Sequence, residues 1–448
     1  MTIIVQEQQR TKEKILDAAL NPIRLLLPTA LIEQWCRDAG YSWRERVLGP
    51  VVTVLACVWK HLQPNVVSAR DVEDGFSELA RDGRDKTRSG SDFCHARSRL
   101  PLEMFRKALQ HVGGAASQTA GVLFHNLRVW VVDGTTLRTS NTAELESHFG
   151  RASNGKRASR SPVARLLVLI CAGSGAVLNA LAGSYVTSEM ALFIRMLGVM
   201  PAGGLVVADR AYGSFLLCCL VPFRGSHLVA RLRAERPNAK RKRLGYRDHL
   251  EEWKRPRREH SAFPELLMTC PETIWVRVIE RQVVRRGYKT WTLRIVTTLL
   301  DPKMYPANEL TELYFRRWRI ETVLRTLKTH YQMAQLKGKT PDIVEKEILS
   351  TMLAYNCVVA LMGESGEAPE LISPVRARNI VMRYAGYMAF LSVYRLKEFY
   401  NEMLGMIAKA LQLPQERESE PRAVIQRPGT FPVLMMTREQ WKVKNRAA

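Results

Sequence analysis

Apolar residues recur at helical spacing over 15–27, 31–39, 47–62 and 102–112, which predicts a helical region from residue 1 to about 120. Over 127–132 the texture changes to Leu-Arg-Val-Trp-Val-Val, a β-branched run of the kind that forms a buried strand, and it ends in Asp133-Gly134-Thr135. Residues 166–188 carry no charge and could span a bilayer by length alone, but Gly173-Ser174-Gly175 and Asn179 interrupt them. Two antiparallel strands, 164–172 and 176–183, are the reading that fits. Ser188-Glu189 then starts a helix over 190–200. Gly203-Gly204 opens a second buried strand, 205–208, which ends in Asp209-Arg210, and a helix over 215–220 and a strand over 227–232 follow.

From residue 233 the order breaks. Residues 236–258 are strongly basic, and 274–284 with 289–298 alternate in the strand manner about Arg285-Arg286-Gly287-Tyr288, predicting a β-rich block. Residues 314–328 return to helical period. Tyr314, Arg317, Glu321 and Lys328 fall at offsets of 0, 3, 7 and 14. On one continuous helix they would share a strip about 60° wide. Leu313, Ile320, Leu324 and Leu327 form a neighbouring apolar stripe, so the helix can bury one side and present Glu321 at the edge of a cleft. Taken alone, such a helix also reads as an ordinary amphipathic one whose charged face is solvated. Residues 340–413 are helical by period, and 415–448 are polar, basic and broken by proline, as in a tail or strap.

With 448 residues, 46% of them apolar, the chain can build several domain cores. Its 67 Lys and Arg outnumber 43 Asp and Glu, and the formal charge of +24 is spread along the chain. That points to a polyanionic partner, nucleic acid being the usual one. The Arg-rich segment 81–99 and the Ser-, Asn- and Gly-rich 138–162, read as a long exposed loop with Gly155-Lys156-Arg157 and Arg160, could both meet phosphates. Eight scattered cysteines without a C-x-x-C pair signal neither a zinc site nor a disulfide framework. The N-terminus lacks the order of a signal peptide, so a cytoplasmic location without a membrane anchor is expected.

Asp133 and Asp209, each expected at the exit of a buried strand, stand beside Glu321 on a helix. Three carboxylates on a basic cleft suit a two-metal phosphoryl-transfer site, because hard Mg²⁺ takes oxygen ligands and keeps positions open for water and phosphate. The spacing of the three acids is not diagnostic by itself.

Asp133-Gly134-Thr135, Ala208-Asp209-Arg210 and the Tyr-x2-Arg-x3-Glu-x6-Lys series from Tyr314 to Lys328 resemble the signature of DDE transposases of the insertion-sequence-4 family. Asp301-Pro302, Tyr305-Pro306, residues 336–340, Ala354-Tyr355-Asn356 and, more weakly, Ser91-Asp92-Phe93-Cys94 and Arg97-x-Arg99-Leu100-Pro101 extend the likeness over most of 90–360. The resemblance implies an α/β fold in which an RNase H-like core is interrupted by a β-strand insertion and flanked by helical N- and C-terminal regions. Its parts would be a helical DNA-binding domain over 1–120, core over 121–232, insertion over 233–300, the catalytic-helix part of the core over 301–340, and a helical region with a basic tail over 341–448. It further implies cut-and-paste transposition on two Mg²⁺ or Mn²⁺ ions held by Asp133, Asp209 and Glu321. Tyr314, Arg317 and Lys328 would hold phosphates, with Arg210 grouped among the DNA contacts. Water would free a 3′-hydroxyl at the element's end, and that hydroxyl would attack target DNA. Trp291 is the candidate for stacking on a flipped base, with Trp275 and Trp253 as competitors. The expected partners are terminal inverted repeats, target DNA and a second copy of the chain, in a prokaryotic, nucleoid-associated setting. The alternatives are an RNase H-like endonuclease without strand transfer and a non-catalytic DNA-binding descendant of a transposase.

Overall fold

The computed structural model describes residues 21–44, 48–80, 90–118, 123–153, 158–232, 239–284, 290–388, 393–412 and 436–444. They cluster into two compact units, one of Met1–Val207, Arg224–Ser226 and Arg316–Gln412, the other of Ala208–Phe223, His227–Phe315 and Leu413–Ala448. The expected segments Gly155-Lys156-Arg157, Arg285-Arg286-Gly287-Tyr288 and most of 415–448 lie outside the described residues.

The first unit opens with helices α1 (Asn21–Leu26), α2 (Thr29–Asp38), α3 (Pro50–Leu62), α4 (Ala69–Ala80), α5 (Ser91–Arg99) and α6 (Leu102–Gln118). Pro50 starts α3 where its missing N–H costs nothing, and Val51 through Val58 are buried. α5 forms in the Arg-rich stretch, and Arg97 turns inward there instead of toward a phosphate. Its Nη1 donates to Glu347 Oε1 at 3.1 Å. Strands β1 (Leu123–Phe124) and β2 (Leu127–Arg138), helix α7 (Ala143–Phe149), strands β3 (Val163–Cys171) and β4 (Val177–Ser184), helix α8 (Glu189–Leu197) and strand β5 (Gly204–Ala208) follow. The order is β4-β3-β2-β5, with β4, β3 and β2 an antiparallel meander and β5 parallel to β2. A meander extended by a parallel strand beside its first member is the RNase H-like order expected.

Two expectations change here. Asp133 is not at the exit of its strand: β2 continues to Arg138, because β3 supplies backbone partners as far as Arg138↔Val163. The rim at Asp133 arises from the other neighbour, whose pairing with β2 stops at Val131↔Val207. The supposed loop 138–162 contains α7, capped by the Thr142 hydroxyl accepting from the Leu145 N–H at 3.3 Å and anchored by buried Leu145 and Phe149.

The second unit holds α9 (Phe215–Phe223), β6 (His227–Arg231), β7 (Lys240–Gly245), β8 (Asp248–Lys254), a 3-10 turn (Arg258–His260), α10 (Pro264–Met268), β9 (Thr273–Val283), β10 (Trp291–Thr297) and α11 (Ala307–Phe315). Its strands run β6-β10-β9-β8-β7, every paired neighbour antiparallel. Fully buried Arg277 grips Asp248 with two bonds of 2.8 and 2.6 Å and donates to the Tyr305 carbonyl at 2.6 Å. Those bonds leave neither charge of the buried pair uncompensated.

The chain then returns to the first unit as α12 (Trp318–Thr329), α13 (Pro341–Glu364), α14 (Pro374–Met388) and α15 (Val393–Ala408); the short α16 (Arg438–Lys444) lies near the C-terminus. α13 is buried along most of its length. Asn356 on it both donates to the Val177 carbonyl at 2.6 Å and accepts from the Val177 N–H at 2.8 Å, fastening the helix to the first residue of β4. Tyr355 beside it is buried edge-on to Tyr331. Thus the Ala-Tyr-Asn part of the motif serves the core.

Candidate active site

The predicted single helix from Tyr314 to Lys328 is two helices. α11 ends at Phe315, Arg316 and Arg317 form a turn, and α12 begins at Trp318. No proline or glycine causes the break. The Arg319 and Ile320 N–H groups bond three residues back, to Arg316 and Arg317, so the first turn of α12 is tightened. The single 60° strip therefore does not exist, although Arg317 keeps helical dihedrals and remains in phase with Glu321 one turn on.

Within the first unit the residues converge on one side of β2. Strand alternation puts Asp133 and Thr135 on the same face, with Gly134 on the other. Ile320, Val323, Leu324 and Leu327 bury the inner side of α12. Arg317, mostly enclosed, places its Nη1 3.5 Å from Asp133 Oδ2 and donates from Nη2 to Glu321 Oε1 at 3.1 Å. One guanidinium thus stands between two carboxylates from different elements, in the fork geometry that suits arginine better than lysine. Asp133 also accepts from the Gly134 N–H at 2.9 Å. Glu321 lies in the first turn of α12, where the helix dipole favours an anion, and Lys328 in the last, where it favours a cation.

Lys328 donates to the Thr135 hydroxyl. Burial lowers its pKa below the ordinary lysine range. In the sequence Thr135 stands out only as the third letter of Asp-Gly-Thr; the period of two along β2 is the signal that pairs it with Asp133. On the opposite face, the carboxylate of Glu189 lies so close over Gly134 that a Cβ there would sit 2.3 Å from Glu189 Cδ, and Arg165 balances Glu189 at 3.6 Å.

The remaining predicted residues belong to the second unit. Asp209 directly follows β5 and is half-buried, and Arg210 beside it is exposed. Tyr314 is buried in α11. Trp291 is 39% exposed on β10 with the Arg231 guanidinium 4.8 Å from its ring centre, whereas Trp253 is a core residue bonded through Nε1 to Glu251 at 2.9 Å. Trp275 is also partly exposed. Among the described residues no group of three or more His, Cys, Asp or Glu is arranged to hold a metal ion. The donor chemistry does fit a hard divalent cation, since Asp133 and Glu321 offer carboxylate oxygens already gathered around one positive charge. Among the described residues no helix is long and apolar enough to cross a membrane.

A family model described as the transposase DDE domain matches residues 125–357, just over half of the chain. The transposase InsG of insertion sequence element IS4 from Escherichia coli K12 is 26% identical over 361 residues, covering 76% of this chain and 78% of InsG. InsZ, from the same strain, is 32% identical over 203 residues, which are 42% of this chain and 62% of InsZ. A solved piggyBac transposase in a synaptic complex with hairpin DNA aligns over 95% of this chain and 88% of its own at 10% identity and a TM-score of 0.40. The matched segment contains Asp133, Asp209, the Arg317–Glu321 pair and Lys328, and the chain belongs to the DDE transposases, of the insertion-sequence-4 kind.

Proposed function

We propose that this transposase cuts DNA at the ends of its own element and joins the freed 3′-hydroxyl ends to target DNA, with Asp133, Asp209 and Glu321 as the carboxylates that hold two Mg²⁺ or Mn²⁺ ions. The observation that carries the reading is the Arg317 guanidinium held between Asp133 and Glu321, inside the matched DDE segment. Asp209 enters by count along the chain. Val131 pairs in parallel with Val207, and Asp133 and Asp209 each stand two residues further on.

When bound, such a pair of ions supplies positive charge to the attacking and leaving oxygens of a phosphodiester. The chain's own groups do the rest. Arg317 offers a forked donor that can exchange a carboxylate for a phosphate, Lys328 a point charge held at Thr135, and Tyr314 a phenol. Trp291 offers a face on which a base can stack, and Arg210 a further phosphate contact. Residues 1–120 would bind DNA, 233–300 would be the insertion in the core, and two copies would bring two element ends together in a bacterial cytoplasm.

The test is incubation of end-labelled DNA carrying the element's terminal repeat with Mg²⁺ or Mn²⁺, comparing wild type with Glu321→Gln. The reading requires cutting and joining by the wild type alone, with DNA binding kept in the variant. Equal cutting by both would remove Glu321 from the site, and cutting that never leads to joined product would favour a nuclease without strand transfer.

A further inference from the structure

β7 is the outermost strand of the second unit's β6-β10-β9-β8-β7 order, and its first four residues, Lys240-Arg241-Lys242-Arg243, are all cationic and exposed. A two-residue turn, Tyr246-Arg247, joins it to β8. Two acids on β8 offset part of the charge: Glu252 lies 3.5 Å from Lys240, and Glu251 accepts from Arg241 at 3.0 Å. Charge on an edge strand is a common device against edge-to-edge aggregation, and that alone would explain a lysine or two. It does not explain the tip. Tyr246 is 81% exposed, an aromatic that edge protection would avoid, and the Arg247 guanidinium sits 5.3 Å from its ring centre.

The tip is also held firmly. Arg247 occupies the left-handed region at φ 53°, its carbonyl accepts from the Glu280 N–H of β9 at 2.9 Å, and Asp248 next to it is locked by Arg277. A firmly held sheet edge, with cations along its outermost strand and an aromatic–arginine pair at the end of that strand, matches the charge of a nucleic-acid backbone that runs along it. We propose that the β7–β8 hairpin is a docking surface for duplex DNA, in which Lys240, Lys242, Arg243 and Arg247 meet backbone phosphates and Tyr246 lies against the groove edge. The inference rests on DNA being this chain's substrate, and it assigns no part in the chemistry to the hairpin.

The full-length chain is titrated with a fluorescein-labelled random-sequence duplex by anisotropy at several salt concentrations, comparing wild type with Lys242→Gln/Arg243→Gln/Arg247→Gln and with Tyr246→Ala. Each cation–phosphate pair removed lowers the slope of log affinity against log salt by about 0.9, so the triple variant should shed roughly 2 to 3 from the slope. Tyr246→Ala should weaken binding with the slope unchanged, and melting temperatures should stay at the wild-type value. Unchanged slope and affinity in the triple variant overturn the proposal, as does weakening confined to a single-stranded RNA probe. Cleavage by wild type and by Asp133→Asn, measured in parallel, separates the two readings. A changed slope without cleavage by the wild type upholds the hairpin and defeats the nuclease site. Asp133-dependent cleavage with an unchanged slope does the reverse.

Discussion

Arg317 is the residue on which the site turns, because its guanidinium is the shared partner of Asp133 and Glu321. Arg317→Ala leaves two carboxylates facing each other without that cation and removes a forked phosphate donor. Single-turnover cleavage of labelled end DNA should fall by roughly 10²–10³, the range for losing one preorganised hydrogen-bond donor to the transition state. Arg317→Lys restores charge but not the fork, and should recover only part of the rate. A rate within about threefold of wild type for the alanine variant would show that Arg317 has no part in cutting. The sequence makes Arg317 and Glu321 visible as neighbours one turn apart, and that survives. What it does not show is that Asp133 comes to the same guanidinium, because this contact joins positions far apart in the chain and depends on how α12 lies over β2. Nor does helical period reveal the turn at Arg316 and Arg317, since neither residue breaks a helix by propensity.

Between elements, the junction of α6, α13 and β4 is set by one side chain and one missing side chain. Asn356→Leu would strand both the N–H and the carbonyl of Val177 in a buried place, at about 2–5 kcal/mol for two unsatisfied groups. Gly113 on α6 lies so near β4 that a Cβ would sit 2.3 Å from the Val177 carbonyl oxygen and 2.9 Å from Asn356 Nδ2. Gly113→Ala should therefore cost about 1–3 kcal/mol by overpacking, despite the better helix propensity of alanine. Urea unfolding of the two single variants and the double variant checks both, and the costs should not add, because both act on Val177. A neutral Gly113→Ala would mean that α6 does not approach β4 so closely. At the α3–α13 junction, the Thr351 hydroxyl donates to the Glu347 carbonyl at 2.7 Å and so accepts from His61 Nδ1 at 3.1 Å. Burial, with the Lys60 and Arg97 charges adding, pushes His61 well below its ordinary range. Its folded pKa being the lower, the unfolded chain binds the extra proton as pH falls through about 6.5, and stability drops by up to about 1.4 kcal/mol per pH unit until the folded pKa is reached. Above about 6.5 the effect vanishes. His61→Phe should flatten this part of the stability–pH curve; an unchanged slope would place its cause elsewhere.

At the scale of the whole chain, local texture carries much of the architecture. The uncharged stretch 166–188 is the β3–β4 hairpin because Gly173 to Gly175 allow the reversal, and Ser188 caps α8 by accepting from the Ala191 N–H at 3.2 Å. Alternation likewise locates β9 and β10. The failures share one origin. β2 outruns its apolar run because β3 pairs with its polar residues, and α7 forms among polar residues because Leu145 and Phe149 find a core, both tertiary effects invisible to a local window. Composition suggests a polyanionic partner, yet it does not separate Arg97, enclosed on Glu347, from the exposed cations of β7. If Asp133, Asp209 and Glu321 hold the same metal ions, Fe²⁺-directed cleavage of the polypeptide should reveal it. With Fe²⁺ replacing Mg²⁺ and ascorbate generating hydroxyl radical at the bound ion, backbone cuts are expected near all three residues. Excess Mg²⁺ and the Asp133→Asn substitution should each suppress them together. Cuts at only one of the three, or cuts indifferent to Asp133→Asn, would contradict a shared metal site.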